Sequence, residues 1–264
     1  MFCTFIVNGM PDHADCYFKD IDGLIPDQFV LISNLSGSGA TPIPTPTVGS
    51  PTPTTTPPTA TPTGTPTHTP SATPPSQPST INYEETQSGG SSSSASVSTS
   101  ANLSAVNDHL YLAAISTKPG RGYVTNVSGL GLSWSLLRAQ CAGRNQTRTE
   151  VWMAHGLPDF SGPVSATLSE APSNAVIVVS HYSGVDTFSP IGNIVSANTN
   201  GIDGSCSGGS DGSAYSLNLP ISTEGDLAFA AAAHRHKDHF PGSDFTERLE
   251  VHQGSGGSAA GLSS

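Results

Sequence analysis

The ten residues AAAHRHKDHF, Ala231–Phe240, put three histidines and an aspartate behind a run of small residues. On a strand, residues two apart share a face. His234 and His236 then stand together with Arg235 opposite, while Asp238 and His239 fall in the turn before Pro241 and Gly242. Two imidazoles on one face plus a third donor suit Zn²⁺ or Ni²⁺. A metal site also needs partners that orient the imidazoles, and the sequence reveals none. The segment therefore reads most simply as the solvent-facing polar end of a strand over Gly225–His236.

Other residues suggest other chemistries. The loop NTNGIDGSCSGGSDGS, Asn198–Ser213, offers side-chain oxygens from Asn198, Asn200, Asp203 and Asp211. Oxygen donors on a glycine-rich loop suit Ca²⁺, although the spacing is not that of an EF-hand, and an ordinary surface loop has the same composition. No cofactor is expected beyond such an ion. For sugar binding, an exposed aromatic ring is the usual platform. Trp152 is the best placed, because its strand face also carries Arg148 and Glu150; Tyr182 and Tyr215 are lesser candidates. The competing reading packs Trp152 inside the fold. Hydrolytic chemistry finds little: GSCSG, Gly204–Gly208, has Cys where a nucleophile elbow has Ser, and no helix is expected after it. Carboxylates at Glu150, Asp186, Glu247 and Glu250 have no spacing that pairs them for glycoside cleavage. The chain is not expected to be an enzyme.

These residues are held by three segments of different character. Residues 1–36 contain one clear strand, within DQFVLISNL, Asp27–Leu35. Residues 37–80 are a Thr/Pro-rich tract, part of a stretch with no charged side chain between Asp27 and Glu84. Proline fixes φ and lacks an N–H, so the tract is an extended linker reaching about 100 Å at about 3.1 Å per residue. The composition is that of O-glycosylated stalks and equally of bare linkers. Residues 81–264 alternate β-rich runs with Gly, Ser, Asn and Pro clusters. HLYLAAIST, His109–Thr117, reads as a central strand, and GLGLSWSLL, Gly129–Leu137, as a strand with Leu130, Leu132, Trp134 and Leu136 on one face, Trp134 being core. About ten such runs with no helix imply an all-β fold, an antiparallel jelly-roll-like β-sandwich.

Charge excludes some partners. A net charge of −11 from nine Lys/Arg against twenty Asp/Glu, with the cations scattered, argues against nucleic acid and anionic membranes. No apolar run is long enough for a membrane-spanning helix. The start, MFCTFIVNGMPDHADCYF, lacks the basic region of a secretory signal. The other features suit an extracellular or cell-surface protein, so the true N-terminus and its signal are expected to lie outside this chain. In that setting Cys141 and Cys206, both flanked by loop residues, are expected to form a disulfide.

The stretches VTNVSGLGLSWSLLRAQCAGRNQTRTEVWMAHG and PSNAVIVVSHYSGVDTFSPIGN resemble a β-sandwich module of secreted bacterial multidomain proteins. The resemblance covers most of residues 83–261. It implies a non-catalytic accessory role, and no catalytic residues carry over. Modules of this kind continue past AAGL into a last strand pair, whereas here GSGGSAAGLSS stops. The domain is therefore expected to lack its last strand or strands, leaving an open sheet edge for self-association. Residues 27–35 of a neighbouring copy are a candidate donor strand. Three functions follow: a module for binding or adhesion to glycans or cell-surface polymers; a subunit of an extracellular filament assembled by donor-strand exchange; or an accessory domain of a larger secreted hydrolase.

Overall fold

A computed structural model describes residues 80–209, 218–220, 226–235 and 246–263, together with the backbone of three N-terminal strands at 5–6, 14–15 and 28–35. His236, His239, Asp211 and Tyr215, and the Thr/Pro tract up to residue 79, lie outside the described residues. The fold is all-β and antiparallel. In chain order the strands are β1 (Phe5–Ile6), β2 (Ala14–Asp15), β3 (Gln28–Leu35), β4 (Asn82–Ser92), β5 (Ser96–Ser98), β6 (Leu110–Lys118), β7 (Val124–Ser128), β8 (Ser135–Cys141) and β9 (Arg148–His155). They continue with β10 (Ser165–Leu168), β11 (Asn174–Ser183), β12 (Ile194–Asn198), β13 (Gly201–Ile202), β14 (Asn218–Leu219), β15 (Leu227–His234), β16 (Glu250–Gln253) and β17 (Ala260–Ser263).

The centre is a five-stranded sheet, β4-β11-β6-β9-β8. β6 reads LYLAAISTK and β11 reads NAVIVVSHYS, runs without apolar–polar alternation that are buried nearly throughout. A strand of that kind must be covered on both faces, and this sheet is. Leu110, Leu112, Ala114, Val176 and Val178 point to one side and meet Phe229, Ala231, Ala233, Ala260 and Leu262. Tyr111, Ala113, Ile115, Ile177 and Val179 point to the other and meet Val97, Val127, Val164, Ala166 and Leu168. The expected sandwich is thus the central sheet packed on a larger one, β13-β12-β3-β15-β17-β16, with a small third sheet, β5-β10-β7, over the opposite face.

Segments near both termini contribute strands to the larger sheet. Gln28–Leu35 pairs within its own chain, between β12 and β15, with Val30 opposite both Ser196 and Ala231. The tail forms β17, which pairs with β15 on one side and β16 on the other. Its Ala260 and Leu262 are fully buried in the core, so two apolar side chains among glycines and serines suffice for an inner strand.

The run at Gly129–Leu137 differs from expectation. β8 begins only at Ser135. The preceding residues turn through positive φ at Gly129, Leu130 and Gly131, which breaks the alternation. Leu130 is buried, Trp134 is only partly buried, and Leu136 is 47% exposed.

Candidate functional site

The sugar-binding trio is brought together, but by a structural network. Arg148, Glu150 and Trp152 follow one another on the face of β9 that looks toward β7. The buried Glu150 carboxylate accepts hydrogen bonds from Arg148 Nε at 2.6 Å, the Val124 N–H at 3.1 Å and Trp152 Nε1 at 3.2 Å. The Trp152 ring packs partly against the core shared with the small sheet. Tyr182 does not belong to a ligand surface. It is fully buried, edge-on to Tyr83 at 6.1 Å and to Phe229 at 6.4 Å, because its strand is covered on both faces.

The expected disulfide forms between Cys141, at the end of β8, and Cys206, with Cα atoms 5.4 Å apart. It closes a loop that is also held by amide donors. Asn198 Nδ2 reaches the carbonyls of Cys141, Gly204 and Ser205 at 2.8–3.0 Å, and Asn200 Nδ2 reaches those of Ser205 and Ser207. Asp203 pairs with Arg138 and accepts from Ser196 Oγ at 2.8 Å. Those two hydrogen bonds, chiefly the one from Arg138, hold its carboxyl below the usual carboxylate range. The loop's oxygens thus face protein donors, an arrangement that serves loop closure.

The histidines behave differently from a wet strand end. His234 is only 1% exposed. It lies opposite Gly261 of β17, and Gly261 lies opposite His252 of β16. The two imidazoles therefore converge across the middle strand, ring centroids 4.7 Å apart and edge-to-face. Glu250, two residues before His252 and so on the same face, joins them. His252 Nε2 is 3.3 Å from His234 Nδ1 and 3.4 Å from Glu250 Oε1, and His234 Nε2 is 3.6 Å from that same oxygen. His252 escapes a reading based on the AHRHKDH run. The available signal was Glu-x-His on a strand, but nothing local says which strand faces it.

A second histidine pair lies in the central sheet. His109 and His181 meet Nδ1 to Nδ1 at 2.9 Å, and His181 Nε2 is 3.3 Å from Glu85 Oε1. His181 stacks on Tyr111 at 5.0 Å. A proton donated from Nε2 of His181 to Glu85 leaves its Nδ1 to accept from His109, so a single proton fills the contact between the rings. Burial lowers the pKa of both imidazoles, against the raising effect of Glu85 and Glu84 on His181 and of Glu84 and Asp108 on His109.

One end of the fold carries exposed apolar side chains on three joined loops. Backbone hydrogen bonds link Asp108 to Gly156 at 3.0 Å, Asp159 to Leu130 at 2.8 Å and Leu103 to Gly162 at 2.9 Å. Ala105 N–H donates to Ser161 Oγ at 2.9 Å. On this frame Phe160 is 57% and Leu157 68% exposed, and Val106 is partly so. Among the described residues no helix is long and apolar enough to cross a membrane. No protein-family model matches the chain, and no curated protein or solved structure shows a significant match to it.

Proposed function

We propose that the protein is a non-catalytic extracellular binding module that recognises a glycan or cell-surface polymer through the loop end bearing Phe160, Leu157 and Val106. The observation that supports this most directly is the exposure of an aromatic and two aliphatic side chains on loops that hydrogen bonds hold together. A ring fixed in that way loses little entropy when a sugar stacks on it. The disulfide favours an oxidising compartment. The resemblance of residues 83–261 to modules of secreted bacterial proteins points the same way. The ligand surface is assigned to the loop end because Tyr182 is buried and the indole N–H of Trp152 is bonded to Glu150. The test is binding of the intact chain to a glycan array and to insoluble cell-wall polymers, beside Phe160→Ala/Leu157→Ala. Binding by the wild type and its loss in the variant, at an unchanged melting temperature, is expected. No binding by the wild type, or equal binding by both, would remove the proposal.

The position of β3 favours a second reading, assembly by strand exchange. β3 sits between β12 and β15 and is joined to β4 through the Thr/Pro tract. On a tether of that length a copy's β3 would reach the same slot in a neighbour. Electron microscopy and light scattering of the intact chain test this: concentration-dependent filaments or dimers support it, and a strictly monomeric species refutes it.

A further inference from the structure

We propose that His234, Glu250 and His252 form a binding site for a divalent transition-metal ion of the Zn²⁺ class. Among the described residues this is the only group of three His, Cys, Asp or Glu side chains whose ligand atoms all lie within 4.8 Å of one another.

The spacing fits a tetrahedral ion. With metal–ligand bonds of about 2.1 Å, neighbouring donors in a tetrahedron are about 3.4 Å apart. Two of the three donor edges match it, from His252 Nε2 to His234 Nδ1 and to Glu250 Oε1 at 3.3 and 3.4 Å, and all three ligand atoms lie within 4.8 Å of one another. The donor types fit as well. Two imidazoles and a carboxylate suit zinc, cobalt or nickel, whereas Ca²⁺ wants six to eight oxygens. Three protein donors leave a fourth position for water or an exchangeable ligand.

The sheet is built to make room for this convergence. β15 and β16 are not neighbours; β17 runs between them, so their backbones are about 10 Å apart across two strand spacings. Imidazoles at matching positions meet only if the intervening residue leaves the space above it open. That residue is Gly261. A Cβ there would lie 2.5 Å from His234 Cε1, 2.6 Å from its Nδ1 and 2.8 Å from His252 Cδ2. Gly261 is not among the glycines with positive φ, so backbone conformation does not require glycine at this position and space does. Among the described residues β16 is the end strand of its sheet, and its Glu250 and His252 keep partial exposure, which gives an ion a route to the buried His234.

The experiment uses the intact chain stripped with EDTA and titrated with ZnCl₂ by calorimetry, with CoCl₂ absorption as a report of geometry. One equivalent of saturable binding and the intense visible bands of tetrahedral Co²⁺ are expected. Glu250→Gln and His252→Ala change partly exposed side chains and should each weaken Zn²⁺ by about tenfold or more, with an unchanged circular dichroism spectrum. His236→Ala/His239→Ala should bind as the wild type does. The proposal is overturned if the wild type binds no Zn²⁺ saturably, if Glu250→Gln and His252→Ala bind as tightly as the wild type, or if the His236/His239 variant alone abolishes binding. Loss of glycan binding without loss of Zn²⁺ binding, or the reverse, separates this site from the loop end.

Discussion

Removing the Cys141–Cys206 disulfide should lower stability by an amount that follows from its sequence separation. The cystine closes a loop of 65 residues. The chain-entropy relation gives about 14.5 cal/mol/K for that length, or about 4 kcal/mol at 25 °C. The folded state gives little of this back on reduction. The Asn198 amide still bonds the carbonyls of Cys141, Gly204 and Ser205, and the Gly209 N–H still reaches the Gly143 carbonyl at 3.0 Å. Loop and sheet therefore stay together without the covalent bond, and the effect lies in the freed unfolded chain. With a urea m-value of about 2 kcal/mol/M, the unfolding midpoint of Cys141→Ser/Cys206→Ser should fall by about 2 M. The m-value should rise slightly, because the uncrosslinked unfolded chain exposes more surface. Fluorescence of Trp134 and Trp152 during urea titration, with and without reductant, measures both quantities. Coincident midpoints for wild type and variant would refute the reasoning, as would alkylation of Cys141 in the native, unreduced protein.

Three further outcomes are expected. Tyr182→Ala should cost about 3–5 kcal/mol in a denaturant titration, because the ring is buried between Tyr83 and Phe229. A ligand-surface tyrosine would show almost no cost. Glu150→Ala leaves the Val124 N–H and the Trp152 indole N–H without their acceptor, at about 1–3 kcal/mol each, and should shift Trp fluorescence. The third concerns pH. His109 and His181 have folded pKa values below their ordinary 6.5, so below that pH the unfolded chain binds protons that the folded chain refuses. Stability is then full above about pH 6.5 and falls as pH drops from there toward the lowered folded values. His181→Gln should flatten that part of a melting-temperature profile, and an unchanged slope would remove the assignment.

The parts of the fold legible in the sequence are those with a strong local signature. β6 and β11 contain unbroken apolar runs, Leu110–Ile115 and Ala175–Val179, and such runs announce a strand covered on both faces. What covers them was less legible. β5, β10 and β7 are three to five residues long, and runs that short carry no sign of which sheet face they cover. β17 was hidden because only Ala260 and Leu262 face the core, within a glycine- and serine-rich tail. The disulfide was legible because both cysteines border loops in a chain that reads as extracellular. The His–Glu–His group was half legible. His234 draws attention beside His236 and His239, but its partners lie two strands away in the sheet, and strand order is a tertiary fact that no local spacing encodes.

Strand order also limits where a ligand can bind. β6 and β11 bury both faces, so a side chain on them that meets solvent must lie near a strand end, as Ser183 does on β11. On these two strands contacts with a partner are confined to the strand ends; elsewhere loop ends and edge strands also offer exposed side chains. The Phe160 loops are of the first kind and β16 is of the second. An edge strand needs protection from pairing with another chain, and charged side chains on it supply some. Glu250 alone would serve that purpose from either face. Its placement beside two imidazoles that require Gly261 is a more demanding arrangement than edge protection calls for. That surplus of constraint separates a site that gathers donors from a strand that merely repels neighbours, and replacing Gly261 with Ala distinguishes them: edge protection would survive the change, and donor convergence would not.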